Sequence, residues 1–312
     1  MQYVKNEWIK MWSQKNAWIM LGLVLALLAF VSGMNKYYGV DSDTKEARIE
    51  ANENWLTHYN EMLNAEGMAE EDKQYYQDEI AMTEYRIAQD LPSYDATMIS
   101  EHMEMSITLT IVMISIFTVV IAAGIVSSEF GTGTIKMLLT RPVARWKILL
   151  SKLVTTILYG LTLMVSGLIF AYILGIILFN TDPAVSLSIV NGQVMEETVK
   201  IPYLEMILYS AGSTLMTILF AFMIGTIFGS STLAVSLSLF ILLMGSTATM
   251  FIAQYDFAKY IWFANDLSFY APGSMPLIEG LTFTFSLIVN IVYAIVFLAI
   301  TFIYFMKRDI TA

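Results

Sequence analysis

The sequence predicts an all-α integral membrane protein with six transmembrane helices, an N-terminal interfacial helix and an extracellular helical hairpin between the first two spans. Three observations carry that expectation. The 312-residue chain is 57% hydrophobic and 14% charged, whereas an average soluble domain carries roughly 25% charged residues. Six stretches free of charged side chains, 17–34, 106–128, 153–179, 206–229, 233–254 and 281–306, approach the ~20 residues needed to cross ~30 Å of hydrocarbon. Between the second and third of them lies SSEFGTGTIKMLLTRPVARWKILLSKL, Ser127 to Leu153, a basic and glycine-punctuated segment.

That segment orients the chain. Lysines and arginines in short loops stay on the cytoplasmic side, and Lys136, Arg141, Arg145, Lys147 and Lys152 here face one acid, Glu129. Six crossings then place both termini in the cytoplasm. Lys5, Lys10 and Lys15 near the start and Lys307 and Arg308 near the end agree with this. The formal charge of −10 hides an asymmetry, because residues 35–105 hold seventeen acids against five bases. The acidity therefore belongs to one outside loop and points to no nucleic-acid partner.

The elements follow in order. Residues 1–16 form an amphipathic interfacial helix in which Trp8 and Trp12 recur on one face and Lys5, Lys10 and Lys15 are set to reach phosphates. The run 17–34 is the first span, read as an anchor that stays in place rather than a cleaved signal. Residues 35–105 form the acidic hairpin. Asp43 and Glu46 are spaced as a capping box, Gly67 breaks the pattern and Pro92 ends it. Ile49, Leu56, Tyr59 and Leu63 on one arm face Tyr76, Ile80, Thr83 and Ile87 on the other. Its acids are either a solvated face or a surface for cationic ligands.

The remainder, 106–312, holds five spans, with a cytoplasmic loop over 128–152 and an aromatic outside segment over 255–280. In the outside connection 180–203, Val185, Leu187 and Ile189 alternate with serines ahead of Asn191-Gly192, a pattern suited to a small β-hairpin. The segment 255–280 is either a partly re-entrant structure or an aromatic belt. Gly225 with Gly229, and Ala171 with Gly175, are small-xxx-small pairs for close helix packing. Serines, threonines and Asn290 within the spans either bridge helices or line a path.

Several chemistries find no support in these residues. The chain has no cysteine and two histidines, His58 and His102, both in the acidic loop and read as surface groups, so no metal site is expected. The apolar stretches contain no ionisable residue, which argues against proton-coupled transport and intramembrane proteolysis. Gly131 to Lys136 lacks the GxxxxGK[ST] of a phosphate-binding loop. No catalytic residue is expected.

The order of elements resembles the permease subunits of ABC-2 type ABC transporters. The resemblance concentrates in Glu129-Phe130, Gly133-Thr134, Lys136, Arg141-Pro142 and the lysine-rich run to Lys152. It implies that Ser128–Leu139 is a coupling helix docking on a separate ATPase subunit, and that Glu129, Phe130, Gly131, Gly133, Thr134, Lys136, Arg141 and Pro142 carry the coupling. Two such ATPases would carry ATP and Mg, with no cofactor on this chain. A homodimer or a second similar permease in a bacterial plasma membrane is implied, in contact with membrane lipids. The expected cargo is a hydrophobic or amphipathic peptide, antibiotic or lipid-linked molecule, with resistance as the outcome.

Two other classes stay open. One is a non-transporting membrane sensor or scaffold with a ligand-binding hairpin. The other is a membrane-surface enzyme, whose candidate carboxylates would be Glu196, Glu197 and Asp266.

Overall fold

A computed structural model describes residues 2–38, 45–64, 70–91, 99–135, 143–179, 185–190, 192–198, 202–272 and 274–308. Its helices are α1 (Gln2–Trp12), α2 (Lys15–Tyr38), α3 (Lys45–Leu63), α4 (Glu70–Gln89), α5 (Ile99–Gly131), α6 (Arg145–Leu178), α7 (Tyr203–Ile227), α8 (Ser231–Ile252) and α9 (Phe283–Lys307). Strands β1 (Val185–Val190) and β2 (Gln193–Thr198) lie between α6 and α7. Six of the helices, α2 and α5 to α9, are long and apolar enough to cross a membrane.

The chain divides into two compact units. The first comprises 1–26, 107–168 and 202–312. Its core is apolar and draws on five helices: Val119, Ala122, Ala123 and Val126 of α5, Leu149 and Leu153 of α6, Phe222 of α7, Ala234 of α8, and Phe297 and Phe305 of α9. Half of the most apolar window of α7 is buried, against 11% for α8. Helix α7 is therefore the inner post, while α8 presents Phe240, Leu243, Met244 and Phe251 outward, as lipid contact requires.

Gly225 shows how closely α7 is approached. A Cβ there would overlap the backbone carbonyl of Ala123 on α5, so the missing side chain allows the two helices to touch. Gly229, its partner in the sequence pattern, lies beyond the end of α7. It sits against the Arg308 guanidinium rather than in a helix crossing.

The aromatic segment folds as three short 3-10 turns, Asp256–Tyr260, Trp262–Asn265 and Leu267–Tyr270. Asn265 pins them. Its amide nitrogen donates to the carbonyls of Lys259 and Ile261, and its side-chain oxygen accepts from Ser286 of α9. Asn290 donates to the Asn265 carbonyl at 2.6 Å. Trp262 packs against Phe220 and Phe297. This is a buried polar network whose members satisfy one another, the arrangement a low-dielectric setting demands.

The second unit comprises 27–106 and 169–201. Helices α3 and α4 pair as an antiparallel hairpin, with Tyr59 against Tyr76 across the seam. Asp43, Gly67 and Pro92, the expected start, break and stop signals, lie outside the described residues. Asp90 ends α4 with a positive φ of 55°, the left-handed conformation that glycine usually supplies. The Arg48 guanidinium grips its carboxylate with two hydrogen bonds, at 3.2 and 3.0 Å. Strands β1 and β2 pair antiparallel, Val190 opposite Gln193, as the alternation before Asn191-Gly192 predicts.

His102 departs from the sequence reading. Helix α5 begins at Ile99, so His102 is helical and buried, stacked on Phe179 at 4.4 Å. Its Nε2 lies 3.0 Å from the Ala171 carbonyl. A Cβ on Gly175 would press on Ile99 and His102, so Ala171 and Gly175 do mark a close crossing, that of α6 with α5.

Candidate functional site

The exit of α5 carries a buried cluster of ion pairs. Glu129 Oε1 accepts from Lys152 Nζ of α6 at 2.7 Å and from Lys10 Nζ of α1 at 2.5 Å. Lys152 also donates to Glu7 Oε2 at 3.0 Å. Glu129 and Lys152 are buried, at 4% and 1% exposure. Glu129 Oε2 has no partner among the described residues, so the carboxylate spends its bonding capacity on one oxygen.

Sequence geometry explains the meeting. Glu7 and Lys10 are three apart and share one face of α1. Met11 and the half-buried Trp8 and Trp12 pack α1 against Ala17, Ile114, Tyr159 and Leu163. Tyr159 donates its hydroxyl to the Ala17 carbonyl at 2.9 Å and lies 5.5 Å from the Trp12 ring. The tryptophans are thus held by protein, while Lys5 and Lys15 remain exposed. Burial disfavours the charge on Lys10, but its bond to Glu129 and the fields of Glu129 and Glu7 prevail and raise its pKa above the ordinary 10.5.

A second clasp lies one residue on. Phe130 is half-buried, with the Arg308 guanidinium 4.0 Å above its ring and Phe305 edge-on at 6.2 Å. Arg308 donates to the carbonyls of Thr226 and Ile227, which end α7. Arg145, at the start of α6, donates to the Met306 and Arg308 carbonyls. Cations thus sit on the free carbonyls of two helix C-termini, where the helix dipole favours them.

The other residues expected to couple behave differently. Gly131, Thr132, Gly133 and Thr134 are exposed. Helix α5 continues to Gly131, so Ser128–Gly131 is the end of a span rather than a separate coupling helix. Gly133 then turns the chain with φ 73°. Lys136, Arg141 and Pro142 lie outside the described residues.

The clasping of Glu129 by α1 was not legible in the sequence. The signal is present as a lone acid among bases, but such an acid in a cytoplasmic loop points to docking, whereas the structure makes it an internal group. Of the carboxylates considered for surface catalysis, Asp266 accepts from Ser213, the Ser268 amide and the Ser268 hydroxyl. Glu196 accepts from Tyr85 at 3.1 Å. Both are engaged in holding local structure.

Comparison with known proteins places this architecture in a family. Residues 74–311 match the family described as protein of unknown function DUF2705. The chain belongs to the DUF2705 family. It is 38% identical over 319 residues to the uncharacterized protein YhcI of Bacillus subtilis (strain 168), covering 98% of each chain. It is also 31% identical over 202 residues to the uncharacterized membrane protein YdbK of the same organism, covering 64% of this chain and 78% of that one. Six apolar helices and a relative named as a membrane protein mark this DUF2705 chain as a multi-pass membrane protein. The family match includes Glu129, Phe130, Lys152 and Arg308 and begins after α1 and its Lys10.

Proposed function

We propose that this chain is the permease subunit of an ATP-driven exporter of the ABC-2 type, energised by a separate ATPase and moving a hydrophobic or amphipathic substrate across a bacterial plasma membrane. Both termini and the 128–152 loop face the cytoplasm. The chain works as a homodimer or beside a similar permease, with two ATPase subunits supplying ATP and Mg.

The observation that carries this reading is the clasp of Glu129 by Lys10 and Lys152. A push on the exposed strip 131–134 is transmitted to α5 directly, to α6 through Lys152 and to α1 through Lys10. The Phe130–Arg308 contact extends the same linkage to the ends of α7 and α9. A transporter whose six apolar stretches carry no Asp, Glu, Lys, Arg or His needs an external source of work, and a lever coupled to several spans can bias a two-state cavity. Docking then belongs to the 131–134 strip and the basic loop beyond it, while Glu129 acts as the internal link.

Mild-detergent capture from the native membrane, followed by mass spectrometry and an ATP hydrolysis assay, tests the proposal. A stoichiometric ATPase bearing a phosphate-binding loop is expected. Capture of intact chain without one, across several detergents, would sink it. A groove on the α3–α4 hairpin, lined by Trp55, Tyr59 and Tyr75 among others, favours the second reading, a membrane sensor, in which hairpin variants change signalling while no ATPase binds.

A further inference from the structure

The second unit contains a groove of about 380 Å³ that the proposed transport cycle does not use. Its walls come from one face of each hairpin arm. Asn52, Trp55 and Tyr59 follow helical spacing on α3, and Tyr75, Glu79 and Arg86 do so on α4. Leu187 of β1 closes one side.

Three features make this a site rather than a gap between helices. The walls are aromatic, with Trp55 and Tyr59 stacked at 5.6 Å and Tyr59 in contact with Tyr76 at 6.3 Å. Trp55 and Tyr75 are 43% and 57% exposed, so part of each side chain remains accessible to a ligand cation, which aromatic rings attract. The floor is polar and ordered. Asn52 and Thr83 are buried, and Asn52 gives its amide nitrogen to the Leu91 carbonyl, leaving its side-chain oxygen as an acceptor.

The third feature is charge. Glu79 and Arg86 both line the groove, about 10 Å apart along the helix axis at 1.5 Å per residue. No ion pair joins them among the described residues. Both act on the Tyr59 hydroxyl: burial and Glu79 raise its pKa above 10.0, while Arg86 opposes the shift. Glu79 likewise raises the pKa of Tyr75. Tyr59, Tyr75, Glu79 and Arg86 all line the same groove, so the carboxylate, the aromatic hydroxyls and the cation are presented to one occupant.

We infer that this groove binds a zwitterionic ligand of about dipeptide size, its ammonium held by Glu79 and the Trp55, Tyr59 and Tyr75 rings and its acidic group by Arg86. The acidic surroundings, seventeen acids in 35–105, enrich cationic groups near the groove, and Arg86 selects those that also carry an anion. The inference does not depend on the chain being a permease.

The test uses the full chain purified in detergent, without any ATPase, and calorimetric titration with the dipeptide Phe-Ala, its N-acetyl form, its C-amide and glycerophosphocholine. Saturable Phe-Ala binding is expected, weakened about tenfold by N-acetylation and by Glu79→Gln. Arg86→Gln should erase the preference for free acid over amide. Glu53→Gln, an exposed change on α3 outside the groove, should alter nothing. Binding of glycerophosphocholine with the same dependence on Glu79 and Arg86, and none of Phe-Ala, would assign the site to a lipid headgroup. Absence of binding by both zwitterions, or binding indifferent to Glu79→Gln and Arg86→Gln, overturns the inference and leaves the permease reading untouched.

Discussion

Glu129 at the end of α5 and Lys152 near the start of α6 form a buried ion pair at 2.7 Å, joined at the same carboxylate oxygen by Lys10 of α1. Breaking one partner of such a pair strands the other charge and costs roughly 3–5 kcal/mol, whereas replacing both by apolar groups is often neutral. Lys152→Met should therefore lower the thermal midpoint in detergent sharply, and Glu129→Leu with Lys152→Met should recover much of the loss. A double variant no more stable than either single one would show that the clasp contributes little.

Gly225 makes a steric prediction. A β-branched side chain there must displace the Ala123 backbone, and overpacking of this kind costs about 1–3 kcal/mol or more where backbone has to move. Gly225→Val should reduce folded yield and thermal midpoint. Gly22→Ala, where an added Cβ meets nothing within 4 Å, should be neutral. Equal effects of the two, read by size-exclusion and thermal unfolding, would remove the α5–α7 contact from the account.

The span count and the β-hairpin were legible because hydrophobic length and a two-residue Asn-Gly turn are local signals. The start of α5 was not. His102 sits among Glu101 and Glu104 and reads as loop, yet the contact with Phe179 and the Ala171 carbonyl comes from another helix. Glu129 was visible as an odd acid in a basic segment. Its partner Lys10 is 119 residues away, and no spacing rule joins them. Asn265 likewise stood unnoticed among aromatics, although it organises the 255–272 turns.

Removing Asn265 tests that last role. Asn265→Leu takes from the Lys259 carbonyl its hydrogen-bond donor and removes one bond each from the Ile261 carbonyl and the Ser286 hydroxyl, which keep the Ala264 amide and the Tyr270 hydroxyl, and a buried group left unsatisfied costs roughly 1–3 kcal/mol. Limited proteolysis should then cut within 255–272 while the remaining spans stay intact. Unchanged protection would mean that Trp262 packing alone holds the segment.

The Arg48–Asp90 pair gives the hairpin a pH dependence. The hydrogen bond from Arg48 and its charge hold the Asp90 carboxyl below the ordinary 3.8. A depressed folded value means stabilisation that is full above 3.8 and lost as pH falls through the lower folded pKa. The hairpin in wild type should loosen below about pH 3.8, followed by hydrogen exchange of α3 and α4. Asp90→Asn should lack that component of the transition; an identical profile would assign the acid sensitivity to other carboxylates.

Gly133 separates docking from internal linkage. Its φ of 73° lies where a residue bearing a Cβ costs about 1–2 kcal/mol, and a β-branched side chain is least tolerated. It is exposed, and an added Cβ meets nothing within 4 Å, so Gly133→Val disturbs the local turn rather than the bundle. The Glu129 clasp lies outside that turn and should survive, leaving the thermal midpoint within a few degrees of wild type. Under the permease proposal the same variant should weaken capture of the ATPase or uncouple its hydrolysis from transport. Glu129→Gln, which keeps the side chain's size and an acceptor oxygen while Lys152 retains Glu7, should retain ATPase capture, because its defect lies in the linkage among α1, α5 and α6, yet lose coupled transport. Loss of capture by folded Glu129→Gln protein, with Gly133→Val normal, would reverse the two assignments and make Glu129 the docking group.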